Sequence, residues 1–114
     1  MYYTYMLRCK DNSIYTGMTN DLNKRMEEHF SKDKKGAKYT KSHEALKVEI
    51  VWSSKDKSLA SKLEYRIKSL CKTEKECLIQ DAKLKEYFKD KIDGRRYRKV
   101  NLEGVLEEKF LYNL

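Results

Sequence analysis

Two tyrosines and a glycine near the start of the chain are the first candidates for a functional site. Tyr5 and Tyr15 stand ten residues apart in two β-favouring segments joined by a short turn, so they are predicted to lie side by side across a hairpin. Gly17 follows on the face of Tyr15 and leaves it bare, as glycines do where a ligand or backbone approaches closely. The alternative is an aromatic pair that stabilises the hairpin, with Gly17 permitting a bulge.

Arg25 and His29 are a second candidate pair. They are four residues apart on a predicted helix and are therefore neighbours on its surface. Cleavage of a phosphodiester needs a cation on the scissile phosphate and a group that moves a proton. Arginine supplies a permanent charge, and histidine titrates at about pH 6.5. With 39% of all residues charged, the pair could equally belong to a solvated helix face.

Glu64 is the most informative acidic residue. It lies beside an apolar helical stripe that consists of Leu59, Leu63, Ile67 and Leu70. A carboxylate at the edge of an apolar face is costly to desolvate without a partner. Mg²⁺ is one candidate partner, because it takes hard oxygen ligands, keeps several waters and bridges to phosphate. The alternative is that Glu64 reaches solvent or pairs with Lys68, four residues further on.

The elements that must position these residues follow from the periodicity and the capping signals. We predict strands over 2–9, 13–18 and 48–52, and helices over about 21–30, from Ser58 onward, and from Thr73 to about Phe88. Thr19 or Asn20 is predicted to cap the first helix, and Thr73 with Glu76 matches a capping box. The order β-β-α-β-α-α predicts an α+β domain with a small three-stranded antiparallel sheet flanked by helices. We assign it to residues 1–90, with a basic C-terminal extension, 91–114, packed on the same domain.

The charge balance favours a polyanionic partner. Lys and Arg number 26 against 18 Asp and Glu, which gives a net charge of +8. The residues expected to contact DNA phosphates without reading bases are Lys34, Lys35, Lys38 and Lys41 in a lysine-rich loop and, further on, Arg95, Arg96 and Arg98.

Other sequence features indicate the cellular setting. Cys9, Cys71 and Cys77 are odd in number and lack zinc-like spacing, which predicts reduced thiols. No signal peptide or membrane-length apolar run is visible. We therefore expect a soluble cytoplasmic protein, a monomer or weak dimer, with no membrane partner. His43 is interpreted as a solvated side chain, and Trp52 as a residue that lies in the core or covers the hairpin.

Taken together, these positions resemble the GIY-YIG nuclease superfamily, and especially its small stand-alone bacterial members, over roughly residues 2–80. The first motif appears as Tyr3-Thr4-Tyr5 and the second as Tyr15-Thr16-Gly17. The family pattern is also matched by the ten-residue steps from Tyr5 to Tyr15 and from there to Arg25, by His29 one turn later, and by Glu64 on a later helix.

The resemblance implies a metal-dependent DNA endonuclease or repair nuclease, weakly sequence-specific, whose DNA substrate can be branched or damaged. Glu64 would hold one Mg²⁺ or Mn²⁺, and Arg25 would neutralise charge on the phosphate. Tyr15, with Tyr5 and His29, would orient and deprotonate the attacking water, and which of the three takes the proton stays open. The alternative is a catalytically weak nucleic-acid-binding module that retains the nuclease fold.

Three features depart from the family pattern. Some members carry a lysine three residues after the second motif tyrosine, where this chain has Met18. An asparagine found in some members about twelve residues past the metal-binding glutamate is replaced by Glu76. We expect no second DNA-binding domain, and therefore low sequence specificity.

Overall fold

The computed structural model describes residues 1–31, 40 and 42–112. Within them, four strands form one antiparallel sheet in the order β2-β1-β3-β4. The strands are β1 (Tyr2–Cys9), β2 (Ile14–Thr19), β3 (Ala45–Ser54) and β4 (Tyr97–Lys99). The α+β class is confirmed, but the prediction of three strands was wrong. The fourth strand comes from the basic tail, where it pairs with the end of β3.

The central strand β1 has a covered side chain on both faces of the sheet, because neighbouring residues in a strand point to opposite sides. Thr4 and Met6 face one side, and Tyr5 and Leu7 face the other, and all four are buried. The first side packs against a core that includes Ile50, Trp52, Leu63, Ile67, Leu78 and Phe88. The second packs against Leu22, Met26, Val48, Val51, Leu106 and Phe110. Helices therefore cover both faces.

Helix α1 (Leu22–Phe30) covers the Tyr5 side of the sheet, and α2 (Lys57–Lys68) covers the Met6 side. Both helices begin after an aspartate that was not predicted as the cap. The side chain of Asp21 accepts from the backbone N–H of Lys24, and Asp56 accepts from that of Leu59. Each aspartate lies one or two residues from a predicted Ser, Thr or Asn cap and can accept the same hydrogen bond from the third residue of the helix. The observed helix starts therefore differ from the predicted ones by only one or two residues.

The last predicted helix is two helices in the structure, α3 (Lys72–Asp81) and α4 (Leu84–Phe88). Ala82 ends α3 in the left-handed conformation, with φ 56°, a common way for a helix to stop. The predicted capping box was also displaced. The backbone N–H of Cys71 donates to the carboxylate of Glu74 at 3.0 Å, so the helix starts before Thr73.

Glu76 does not cap the helix as predicted. Instead, it connects α3 to the sheet. Arg8 on β1 donates to both carboxylate oxygens of Glu76, at 2.5 and 2.6 Å, and also to Glu49 on β3 at 2.9 Å. The arginine side chain is 12% exposed, and its hydrogen bonds lower the pKa of Glu76. Glu76, which replaces the asparagine found in some family members, thus forms a structural ion pair with Arg8.

The segment after β4 returns to the α1 side of the sheet. Phe110 is 1% exposed and lies against Phe30 of α1, with ring centroids 5.0 Å apart. The segment runs through short 3-10 turns, including Leu102–Gly104 and Glu108–Phe110. The helices that the structure describes include none long and apolar enough to cross a membrane.

Candidate active site

A hydrogen-bonded chain of buried groups lies between β1 and α1. The Tyr5 hydroxyl is 2.8 Å from Nε2 of His29, and Nδ1 of His29 is 3.1 Å from the Thr40 hydroxyl. His29 and Thr40 are fully buried, and Tyr5 is 1% exposed. Tyr5 and His29 were predicted as site residues, whereas Thr40 was not. Nothing in the local sequence pattern ties position 40 to His29.

Arg25 joins this chain from the preceding turn of α1. Its Nε donates to the Tyr5 hydroxyl at 3.4 Å, and its Nη1 donates to Glu28 at 3.1 Å. The i, i+4 spacing of Arg25 and His29 therefore places both side chains on the helix face that meets Tyr5. The arginine side chain is 24% exposed, so part of the guanidinium faces solvent, where a phosphate can reach it.

Tyr15 lies on the same sheet face as Tyr5, on the neighbouring strand of the hairpin. In the β1–β2 register, Tyr5 faces Gly17, and Tyr15 faces Leu7. The pair is diagonal, with ring centroids 6.2 Å apart, and the Tyr15 ring is 5.3 Å from that of His29. Tyr5, Tyr15 and His29 thus form one aromatic cluster, which we call the tyrosine–histidine cluster.

Gly17 makes room for this cluster. A Cβ at this position would lie 2.5 Å from the Tyr5 hydroxyl oxygen, 2.7 Å from its Cζ and 3.0 Å from Cε2 of Tyr15. Such distances are far inside van der Waals contact, so any other residue displaces a tyrosine. The close approach predicted for Gly17 is therefore an approach by the Tyr5 side chain.

Glu64 lies on α2, which packs beside the edge strand β2. The residues on this side of α2 are Ser61, Glu64 and Lys68. Ser61 Oγ lies 3.1 Å from the sulfur of Met18, and Lys68 Nζ lies 5.9 Å from the centre of the Tyr15 ring. Glu64 lies between Ser61 and Lys68 on this helix face. It forms an ion pair with Lys68 at 3.3 Å, which was the predicted alternative to metal binding.

The electrostatics bear on the role of Tyr5. Burial raises the pKa of Tyr5 well above its ordinary value, and the negative charge of Glu64 adds to the rise, while Arg25 opposes it. The Tyr5 phenol therefore keeps its proton, and its hydroxyl shares a hydrogen bond with Nε2 of His29. A phenol that holds its proton in this way is poorly suited to taking one from water.

The other predicted DNA contacts are placed apart from this cluster or lie outside the described residues. Arg95 and Arg96 precede β4, at the edge of the sheet opposite β2, and Arg95 pairs with Asp93 at 3.0 Å. Arg98 is exposed on β4 itself. The four predicted loop lysines, Lys34, Lys35, Lys38 and Lys41, lie outside the described residues. His43 pairs with Asp11 at 2.6 Å, and Trp52 is buried, as predicted.

A family model described as the GIY-YIG catalytic domain matches residues 1–76. This range contains the tyrosine–histidine cluster, Arg25 and Glu64. The chain belongs to the GIY-YIG family.

Relatives of this GIY-YIG protein occur among small bacterial proteins. UPF0213 protein FN1575 of Fusobacterium nucleatum is 51% identical over 104 residues, which cover 91% of this chain and 97% of that protein. UPF0213 protein YazA of Bacillus subtilis is 40% identical over 82 residues, covering 72% and 81%. The solution NMR structure of UPF0213 protein BH0048 from Bacillus halodurans is 34% identical and covers 78% of this chain and 95% of that one, with a TM-score of 0.43.

Within the part of the chain that the structure describes, Glu64 is the carboxylate whose charge acts on Tyr5 of the tyrosine–histidine cluster. Residues 1–31, 40 and 42–112 contain no cluster of three or more His, Cys, Asp or Glu side chains suited to a metal. Glu64, with 22% of its side chain exposed, offers hard oxygen atoms and access to water. These properties fit Mg²⁺ or Mn²⁺, which bind through one or two carboxylates plus water and phosphate.

The buried Tyr5 phenol gives the GIY-YIG domain a specific alkaline sensitivity. The raised pKa means that Tyr5 stabilises the fold fully below about pH 10, the pKa of an unfolded tyrosine. Its contribution falls above that pH, by at most about 1.4 kcal/mol per pH unit, because only the unfolded chain releases the proton. Tyr5→Phe is therefore expected to lose less stability than wild type on moving from about pH 9 to about pH 11, measured by urea unfolding.

Tyr65→Phe is the control for this comparison. Tyr65 is 64% exposed, and its phenol meets solvent in both states, so this variant should follow the wild-type pH dependence. If Tyr5→Phe also followed it, the Tyr5 hydroxyl would ionise as readily in the folded protein as in the unfolded chain.

Proposed function

We propose that this GIY-YIG domain is a metal-dependent DNA endonuclease or repair nuclease that hydrolyses phosphodiester bonds with little sequence specificity. Family membership supports a nuclease-type function. The observation that carries the finer proposal is the convergence of Arg25, Tyr5 and His29 in one hydrogen-bonded chain, with Tyr15 packed against it. Such a chain supplies a cation for phosphate and groups for proton transfer in one place.

In the proposed reaction, Arg25 binds the scissile phosphate and neutralises the charge that develops in the transition state. Its guanidinium is anchored by Tyr5 and Glu28, so it needs little reorganisation when the substrate binds. Glu64 would hold the divalent cation, which when bound acts as a Lewis acid on the phosphate.

Tyr15 is the better candidate for handling the proton of the attacking water. Tyr5 is unsuited to that role because its pKa is raised. Both nitrogens of His29 are engaged inside the protein, by Tyr5 and Thr40. Tyr15 is only partly buried, and the ammonium nitrogen of Lys68 lies 5.9 Å from the centre of its ring.

A cleavage panel tests this proposal. Plasmid DNA, branched DNA, nicked or damaged duplexes and RNA are each incubated with Mg²⁺ or Mn²⁺, for wild type and for Glu64→Ala. The proposal expects metal-dependent cleavage of at least one DNA substrate by wild type and its loss in the variant. DNA binding by wild type without cleavage of any substrate would instead favour a nucleic-acid-binding module that retains the nuclease fold.

The proposed substrate contacts outside the cluster are electrostatic. We expect Lys34, Lys35, Lys38 and Lys41 to contact phosphates, each adding roughly one unit to the slope of log affinity against log salt. Replacing all four by Gln should lower the slope by about three to four units, measured by fluorescence anisotropy. Arg95→Gln with Arg96→Gln should have a smaller effect, because these residues lie at the far edge of the sheet and Arg95 is paired. An unchanged slope in the four-lysine variant would contradict this assignment.

The proposed setting is the reducing cytoplasm, with the protein acting as a monomer or weak dimer. The cysteines support it, because Cys71 and Cys77 are exposed and carry free thiols. Exposed free thiols are typical of a reducing compartment.

A further inference from the structure

Lys68 contacts two parts of the candidate site at once. Its ammonium nitrogen is 3.3 Å from a carboxylate oxygen of Glu64 and 5.9 Å from the centre of the Tyr15 ring. It therefore bridges the carboxylate on α2 and the tyrosine–histidine cluster on the sheet. The proposed reaction assigns this lysine no contact with either the metal or the DNA.

The ion pair between Glu64 and Lys68 differs in its position from an ordinary ion pair on a helix surface. Glu64 has 22% of its side chain exposed, against 51% for Lys68, so the carboxylate is the more enclosed partner. The charge of Glu64 acts on the Tyr5 hydroxyl, which places the carboxylate within electrostatic range of the cluster. Lys68 thus supplies a positive charge where a cation at Glu64 would supply one.

We propose that Lys68 is a positioning residue that neutralises Glu64 in the free protein and moves to a DNA phosphate when a divalent cation takes its place. This inference rests on the proposed function. An ammonium and a divalent cation compete for the same carboxylate and repel each other. A lysine that is released when the metal binds remains beside Tyr15, where it adds a positive charge to the phosphate-binding surface.

The first expected effect is on metal binding without DNA. Lys68→Gln removes the competing charge, so the affinity of the free protein for Mn²⁺ should rise about three- to tenfold. Lys68→Arg keeps the charge and should stay within about twofold of wild type. Lys62→Gln is the matched control, because Lys62 is an exposed lysine of the same helix and forms no ion pair with the residues that the structure describes. It should change Mn²⁺ affinity by less than about twofold.

The second expected effect is on DNA binding in EDTA, measured by anisotropy of a labelled duplex over a range of salt concentrations. In wild type Lys68 is held by Glu64, so Lys68→Gln should change the salt slope by less than about half a unit. In a Glu64→Gln background Lys68 is free to contact phosphate, and the same substitution should lower the slope by about one unit. A merely structural lysine would give no such difference between the two backgrounds.

Mn²⁺ titrations followed by electron paramagnetic resonance, together with the salt slopes, decide the matter. The inference is supported if Lys68→Gln binds Mn²⁺ more tightly than both wild type and Lys62→Gln, and if it lowers the salt slope of DNA binding only in the Glu64→Gln background. If Lys68→Gln and Lys62→Gln behave alike while wild type binds Mn²⁺ and cleaves DNA, the role of Lys68 is overturned and the proposed function stands. If wild type binds no Mn²⁺ with or without DNA and cleaves no substrate, both fail together.

Discussion

Glu64→Gln is expected to bind DNA at least as tightly as wild type and to cleave it roughly two to three orders of magnitude more slowly. Glutamine keeps the shape of the side chain, so the fold of α2 should be unaffected. The lost carboxylate charge matters most in the transition state, where it would hold the cation that offsets charge on the phosphate. Removing a negative charge from a phosphate-binding surface also reduces repulsion, which explains the retained or improved affinity.

Single-turnover cleavage with protein in excess over a DNA that both proteins bind is the decisive measurement, because it separates the chemical step from affinity. Glu107→Gln is a matched control, since Glu107 also pairs with a lysine, Lys109, at 3.5 Å, in the segment that follows β4. It should cleave at the wild-type rate. A Glu64→Gln rate near wild type would remove Glu64 as metal ligand, and with it the proposed mechanism.

The catalytic candidates on α1 were predictable because a helix has a fixed period. Residues four apart share a face wherever the helix lies, so Arg25 and His29 had to be neighbours. The structure places that face against Tyr5. Helix caps were less predictable, because several Ser, Thr, Asn and Asp residues near each start could make the same hydrogen bond, and Asp21 and Asp56 make it here.

The relation of the two tyrosines shows what spacing alone leaves undecided. A ten-residue interval is compatible with direct opposition or with a diagonal arrangement, depending on the turn. Here Asn12 adopts a left-handed conformation with φ 69°, and the turn places Tyr5 opposite Gly17. The displacement is two residues, which keeps both tyrosines on one face, because side chains in a strand alternate with period two.

Two features depended on the tertiary structure and had no local signal. Thr40 lies eleven residues after His29 in the chain, and its hydrogen bond to the imidazole follows from the tertiary structure. Strand β4 is three residues long, two of them charged and exposed, and it exists because the edge of β3 offers unpaired backbone groups to the tail. The surroundings of Glu64 were partly predictable. The sequence suggested both a metal site and an ion pair with Lys68, and the structure contains the ion pair, at the edge of the cluster.

Gly17→Ala is expected to reduce cleavage by about a hundredfold, although the substitution adds a single methyl group to a residue with no chemical role. The new Cβ would lie 2.5 Å from the Tyr5 hydroxyl oxygen. Tyr5 is 1% exposed and fixed by its hydrogen bond to His29, so it has no open space into which to move. Its displacement would carry His29 and Arg25 with it, and misplacement of catalytic groups by about 1 Å can cost on the order of a hundredfold in rate.

The same overpacking should lower the free energy of unfolding by about 1–3 kcal/mol, so cleavage must be compared at a temperature where urea titrations show both proteins folded. Gly94→Ala is the matched control, because a Cβ at Gly94 meets no atom within 4 Å. That variant should keep both the rate and the stability of wild type. If Gly17→Ala matched Gly94→Ala in both measurements, the Tyr5 ring could shift without consequence, and the hydrogen-bonded chain from Arg25 to His29 would not be what organises the site. A loss of stability without a loss of rate would assign Gly17 to packing alone, because the displaced ring would then have no part in orienting the reacting groups.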